Sequence, residues 1–260
     1  MGENEVHAFE QSNLKRWDFK DINMIDWNDF FHYMFYEDFN FLWLLNVCVW
    51  LILSVFIVKK SKILNLLENT KRLYRKYAFF FASYAVSKCL FFFSNYYYDR
   101  RDVFGIVPEE AIILRIGYAI NLISVGVLVL GLERDLLDWK GFVAGIVFIN
   151  VIIVIFANES IYKTATLYLQ VIYFVTIALA YIIVSRKSTG DIKKYSNRTM
   201  IGMGLFFLGI FLDLRVLKQF FVDKGLETLI HIALPLINLI GTTIFFRSVP
   251  SKNEETIKGF

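Results

Sequence analysis

Long runs of apolar residues constrain this chain more than any other feature of its sequence. Seven apolar blocks of 17 to 25 residues follow one another, at about 39–58, 73–97, 112–132, 141–157, 165–185, 199–222 and 226–247. A helix needs about 20 successive apolar residues to cross a bilayer. Apolar residues make up 57% of the chain, whereas soluble proteins contain about 45–50%. The sequence excludes an ordinary soluble domain and predicts an all-α integral membrane protein, a seven-transmembrane-helix bundle.

The distribution of basic residues predicts the orientation of this bundle. Seventeen of the 28 Lys and Arg residues lie in the loops after blocks one, three and five and in the C-terminal tail, and seven lie in the N-terminal segment and the other loops. Cytoplasmic loops carry the basic excess in membrane proteins. We therefore expect a multi-pass protein of the cell membrane with its N-terminus outside and its C-terminus cytoplasmic. The net charge of +4 then reflects topology, and no nucleic-acid partner is expected.

Short loops indicate one compact bundle. Residues 1–38 are predicted to form an extracellular polar and amphipathic segment, residues 39–247 the transmembrane domain, and residues 248–260 a cytoplasmic tail. Acids and aromatics recur at near-helical spacing over residues 26–39, so an amphipathic helix on the membrane face is expected there. The tail is too short to fold alone, so a signalling role would need a separate cytoplasmic partner.

Ionisable side chains inside the apolar blocks are the best candidates for function, because the bilayer interior makes them costly. Lys88 lies about 22 Å along block two from its cytoplasmic end, and Asp213 lies about 21 Å along block six. The two opposite charges reach the same depth, which predicts an ion pair. The other ionisable residues of the outer half are Arg115, Arg215, Lys218 and His231.

Two interpretations of these six residues stay open. In the first, they line an outward-facing polar pocket of net positive charge that binds a small anion such as a carboxylate or a phosphate, with Lys88 and Asp213 at its floor. In the second, Lys88 and Asp213 form a structural pair, and the outer cations extend toward the lipid headgroups. Neutral polar residues of the blocks are interpreted mainly as interhelical hydrogen-bonding groups; they include Asn121, Asn150, Gln170, Tyr173 and Asn238.

A second charged cluster, Glu133, Arg134 and Asp135, lies where block three reaches the cytoplasm. Together with the basic loops 59–76 and 186–198, it is a candidate docking face for a cytoplasmic partner. The alternative is a solvated basic surface that contacts anionic lipid.

Motifs of catalysis and of metal binding are not found in the sequence. It contains no glycine-rich phosphate loop, no Ser–His–Asp set and no helical His–Glu pair. Only His231 of the three histidines lies inside a block, which is too few for a metal site. Block seven contains no lysine that could hold retinal as a Schiff base. We therefore expect no enzymatic activity, no cofactor and no metal ion.

The sequence thus favours a non-enzymatic, receptor-like sensor that binds a small anion from outside and signals to a cytoplasmic partner. Pro235 and the glycines of block six are candidate points for the helix rearrangement that signalling requires. The architecture is similar to that of the seven-helix sensory modules of prokaryotic signalling proteins. A small-anion transporter that uses the same polar layer and a structural subunit of a membrane complex remain alternatives. All three interpretations allow a homo- or hetero-oligomer.

Overall fold

A computed structural model describes residues 26–37, 39–63, 68–100, 108–137, 139–187, 189–213, 221 and 224–249. All regular secondary structure in these ranges is helical, which confirms the all-α class. The α-helices are α1 Trp27–Tyr36, α2 Asn40–Ile63, α3 Glu68–Asp99, α4 Pro108–Gly131, α5 Phe142–Phe156, α6 Glu159–Lys187, α7 Gly190–Leu212 and α8 Glu227–Phe246, and a π-helical turn, Leu132–Leu136, follows α4 directly.

Five of these helices, α2, α3, α4, α6 and α8, are long and apolar enough to cross a membrane. Helix α5 is apolar, but its 15 residues extend only about 22 Å at 1.5 Å per residue, which is less than the roughly 30 Å of a hydrocarbon core. Helix α7 begins with ten mostly polar residues, 190–199, so its apolar part is short. Each of the seven apolar blocks nevertheless overlaps one of the helices α2 to α8.

Helix α7 ends at Leu212, well before the end of block six at residue 222. The amide of Asp213 bonds to the carbonyls of Gly209 and Phe211, which closes the last turn. Asp213 therefore lies at a helix C-terminus and not, as the apolar block predicts, inside a helix. Arg215 and Lys218 lie outside the described residues.

Neighbouring helices α2 and α8 run in the same direction. Asn46 of α2 donates a hydrogen bond from Nδ2 to the carbonyl of Pro235, at 2.9 Å. One turn further along α2 and two turns further along α8, the indole of Trp50 donates to the hydroxyl of Thr242, at 3.0 Å. Helices α3 and α4, which follow each other in the chain, also pack side by side. The hydroxyl of Ser87 in α3 donates to the carbonyl of Gly117 in α4.

Helices α7 and α8 touch backbone to backbone at two glycines. A Cβ atom on Gly202 would lie 2.5 Å from the amide nitrogen of Phe245, and one on Gly241 would lie 2.7 Å from the carbonyl oxygen of Gly202. Small residues allow helix backbones to approach this closely. Close packing of the two helices therefore occurs at Gly202 of α7. It does not occur at Gly204, where a Cβ atom would meet open space.

The amphipathic helix expected over residues 26–39 is present as α1. The side chain of Asp26 caps it by accepting hydrogen bonds from two amides of the first turn, as N-cap aspartates commonly do. One face is buried, and Phe30 of this face stacks on Phe93 of α3 with ring centroids 4.7 Å apart. Outside this face, four aromatic rings of the helix are exposed, those of Trp27, Phe31, Phe35 and Tyr36.

Candidate functional site

Lys88 and Asp213 form the ion pair that their depths in the sequence predict. Lys88 Nζ lies 2.6 Å from Asp213 Oδ2, and the two side chains are 8% and 22% exposed. The same ammonium lies over the indole of Trp43, 3.6 Å from the ring centroid, in a cation–π contact. The pair therefore joins helices α2, α3 and α7 at one point, and its carboxylate is the more accessible partner.

The position of Asp213 at the end of α7 gives Lys88 a second electrostatic role. A helix C-terminus carries a partial negative charge, so a carboxylate there is unfavourable and a cation is favourable. The ammonium of Lys88 compensates both the carboxylate and the helix end. Removing one partner of such a buried pair leaves an uncompensated charge, which is strongly destabilising.

Aromatic rings close the inner side of this pair. Tyr84 lies one helical turn before Lys88 on α3, and its ring packs against Trp50 and Phe206, with centroids 4.7 Å and 5.2 Å away. These three rings belong to the buried core. These rings line the side of the pair that faces Tyr84, so a polar ligand would reach Lys88 from the Asp213 side.

Arg115, predicted to share a pocket with Lys88, makes its described contacts elsewhere. Its Nη1 donates to the carbonyl of Ile155 at the end of α5, at 3.3 Å. Its guanidinium lies 5.1 Å from the ring centroid of Tyr162 in α6. Arg115 thus connects α4, α5 and α6, which agrees with a structural role for this arginine.

His231 is buried on α8, one turn before Pro235. Gly209 of α7 packs against Asn238 of α8, and these two consecutive helices run in opposite directions. From that contact, Asp213 lies one turn toward the C-terminal end of α7, and His231 lies about two turns toward the adjacent N-terminal end of α8. His231 therefore lies about one turn beyond Asp213 in this direction.

Glu133 does not lie on a docking face as predicted. It is fully buried, and its two carboxylate oxygens accept hydrogen bonds from the amides of Val143 and Ala144, each at 2.9 Å. These amides belong to the first turn of α5, whose amide groups have no partners within the helix. Glu133 therefore caps α5 from the π-helical turn, and burial removes it from any partner.

The other two members of this cluster differ in exposure. Asp135 pairs with Lys76 of α3 at 2.7 Å, and its side chain is 9% exposed. Arg134 is exposed. Of the three residues, Arg134 alone has an exposed charge. Docking of a cytoplasmic partner therefore stays a prediction for Arg134 and the basic loops.

Arg100 forms a clasp between α1 and α3 that the sequence did not reveal. Its guanidinium donates to both carboxylate oxygens of Asp29, at 3.1 and 3.2 Å, and to both of Glu37, at 3.2 and 2.5 Å. The hydroxyl of Tyr96 also donates to Asp29. The hydrogen bonds from Arg100 hold the pKa of the Asp29 carboxyl below its ordinary value, although burial opposes this effect. In the sequence, Arg100 is one loop cation among many.

Cys48 and Cys89 are free thiols. In the part of the chain that the structure describes, no three His, Cys, Asp or Glu side chains lie close enough to hold a metal ion. Comparisons of the chain with protein-family models, with curated protein sequences and with solved structures found no match.

Proposed function

We propose that this protein is a non-enzymatic, receptor-like membrane sensor with seven membrane-crossing helices, α2 to α8. The parallel packing of α2 and α8 supports this count. If α2 and α8 cross the membrane in the same direction, the number of crossings between them along the chain is odd. Because α3, α4 and α6 account for three crossings, α5 and α7 either both cross the membrane or both do not. Both are apolar helices in the same bundle, and seven crossings keep every consecutive pair antiparallel. The basic excess on alternate loops supports an orientation with the N-terminus outside.

The ligand that this geometry favours is a small anion, and the observation that carries the proposal is the Lys88–Asp213 pair. Its ammonium is buried, whereas its carboxylate is 22% exposed. A carboxylate or phosphate that arrives from outside would compete with Asp213 for the same cation. The sequence adds two further cations, Arg215 and Lys218, directly after Asp213, and these would favour an anion at this end of α7.

Displacement of Asp213 would move the end of α7, and α7 packs closely against α8. The two helix backbones touch at Gly202 and Gly241, and because helix interfaces are close-packed, a shift of α7 there would be passed to α8. At the cytoplasmic end, the hydroxyl of Thr199 donates to the hydroxyl of Ser248 at 2.8 Å. A change at the outer end of α7 would thereby reach the segment that precedes the tail, where a cytoplasmic partner could respond.

Anion-dependent stability of the purified full-length protein tests this proposal. Thermal unfolding in nanodiscs would be followed with increasing acetate, phosphate and sulfate at constant ionic strength. We expect at least one anion to raise the midpoint, because a ligand that binds the folded state stabilises it. Lys88→Met should abolish the shift. Lys76→Met is the matched control, because it also breaks a partly buried ion pair, at the opposite end of α3.

Two results would contradict the proposal. One is an anion shift of equal size in the Lys88→Met and wild-type proteins. The other is a Lys88→Leu, Asp213→Leu double variant that folds and keeps its anion response. Anion flux into proteoliposomes that depends on Arg215 would instead identify a transporter, and a stoichiometric co-purifying partner without any anion response would identify a structural subunit.

A further inference from the structure

Uncharged polar side chains meet in the middle of the bundle, on helices other than the one that carries Lys88. Asn121 of α4 and Tyr173 of α6 are buried, at 5% and 2% exposure, and Gln170 of α6 is half-buried. At 1.5 Å per residue, Gln170 lies about 17 Å from the start of α6 and further than that from its end. Both α4 and α6 are long and apolar enough to cross a membrane, so this cluster lies near mid-depth.

The oxygen atoms of this cluster have no hydrogen-bond partner among the described residues. Asn121 Oδ1, Gln170 Oε1 and the Tyr173 hydroxyl are buried, and none of the three bonds to a residue in the part of the chain that the structure describes. The side chain of Asn150 in α5 lies near the Tyr173 hydroxyl, and its amide oxygen and nitrogen are also buried without a hydrogen-bond partner among the described residues. A bilayer offers no water to satisfy such groups, so leaving them without partners is costly. A partner from outside the chain would therefore be bound favourably.

The same three side chains line a cavity of about 30 Å³ between α4, α6 and α7. One water-sized group needs roughly 10–15 Å³, so the cavity accommodates a small polar group and little more. The rest of its wall is apolar. Phe174, Ile210 and Phe211 belong to this wall and are half-buried, so the cavity reaches the bundle surface between α6 and α7, where lipid chains would lie.

These features define the chemistry of the occupant. The two amide oxygens can only accept hydrogen bonds, so the occupant must donate. None of the described residues that line the cavity is charged, so an ion would lack a counter-charge. The apolar rim suits a hydrocarbon chain. We propose that this cavity binds the hydroxyl group of an uncharged lipophilic molecule that enters from the bilayer between α6 and α7. This site is separate from the proposed anion site.

Photolabelling with an octanol that carries a diazirine in its chain tests the proposal on the full-length protein in nanodiscs. We expect mass spectrometry to place the label on the peptides that contain Phe174 and Phe211. Unlabelled octanol should suppress this labelling, and octane at the same membrane concentration should not, because octane cannot donate a hydrogen bond. Tyr173→Phe should weaken labelling several-fold, which is the loss that one neutral hydrogen bond causes.

Tyr181→Phe is the matched control. It makes the same chemical change two turns further along α6, outside this cavity, and should leave the labelling unchanged. Asn121→Leu gives a second variant that removes an acceptor without breaking a hydrogen bond of the protein, and it should also weaken labelling. The proposal is overturned if neither peptide is labelled, which is the result expected if water alone fills the cavity. It is also overturned if octane competes as well as octanol.

Discussion

The ammonium of Lys88 lies between the carboxylate of Asp213, 2.6 Å away, and the indole ring of Trp43, whose centroid is 3.6 Å away. One lysine thereby holds the end of α7 against α2 and α3. We expect Lys88→Met to lower the free energy of unfolding by about 3 kcal/mol, because the Asp213 carboxylate is left without its counter-charge. The Lys88→Met, Asp213→Asn double variant should lose less. Reversible unfolding in bicelles measures the free energy of unfolding of both variants. A loss in the double variant larger than that in Lys88→Met would show that the two charges are not coupled.

The backbone contact between α7 and α8 predicts opposite effects at two glycines only two residues apart. Gly202→Ala would place a methyl group 2.5 Å from a backbone amide of α8, and the strain should destabilise the protein by about 1–3 kcal/mol. Gly204→Ala meets open space and should be neutral, or stabilising by up to about 1 kcal/mol, because alanine is the better helix former. Equal effects in thermal unfolding would contradict the close crossing.

The clasp between α1 and α3 predicts that α1 separates from the bundle in acid. The pKa of Asp29 is lowered by Arg100, so this contact stabilises docked α1 above about pH 4, the ordinary carboxyl pKa, and the stabilisation is lost as pH falls through the lowered pKa. Hydrogen exchange of the α1 amides, corrected for intrinsic rates, should stay slow from pH 7 to pH 5 and become fast below pH 4.

Arg100→Gln should make exchange in α1 fast at neutral pH as well, because the guanidinium that holds Asp29 and Glu37 is gone. Arg75→Gln removes an exposed arginine near the other end of α3 and serves as the control, with α1 protection unchanged. Slow exchange in Arg100→Gln at pH 7 would mean that the aromatic contacts of α1, such as Phe30 on Phe93, suffice to hold it.

Glu133 and Arg134 are neighbours in sequence with different expected roles. Glu133→Ala leaves the first amides of α5 without their acceptors and should cost about 2 kcal/mol or more, at the upper end of the N-cap range. Arg134→Ala removes an exposed side chain and should change stability by less than about 0.5 kcal/mol. If Arg134 docks a cytoplasmic partner, its loss should weaken co-purification of that partner without lowering the unfolding midpoint.

Helix positions could be predicted from sequence because apolar block length decides whether a helix can cross a bilayer, and each block overlaps one helix of the structure. The depth match between Lys88 and Asp213 was also predictable, because rise per residue is constant along a helix. The end of α7 at Leu212 was not predictable, because Leu, Val and Phe recur among the charged residues of 213–222 and keep that stretch within the apolar block. Nothing in block length distinguishes a continuous helix from one that stops.

Side-chain partners depend on which faces of the helices meet, and composition does not contain that information. From the sequence, Arg115 is compatible both with an anion pocket and with a cation that extends toward the lipid headgroups. Its contacts with Ile155 and Tyr162 show that it packs against α5 and α6. Glu133 looked accessible because its sequence neighbours are charged, yet the π-helical turn directs it at the start of α5. The cluster around Asn121 was expected to form interhelical bonds, and its oxygen atoms instead face a cavity.

By itself, the sequence determined that this chain folds into apolar helices, at which positions they lie, and which charges share a depth, since these properties are local and additive along the chain. Only the tertiary structure decided that Lys88 is held by both Asp213 and Trp43, that Arg100 clasps α1, and that Glu133 is buried, since each requires the rotation of one helix relative to another. That rotation is set by interhelical packing, such as the contact between Gly202 and Gly241, which acts between residues far apart in sequence.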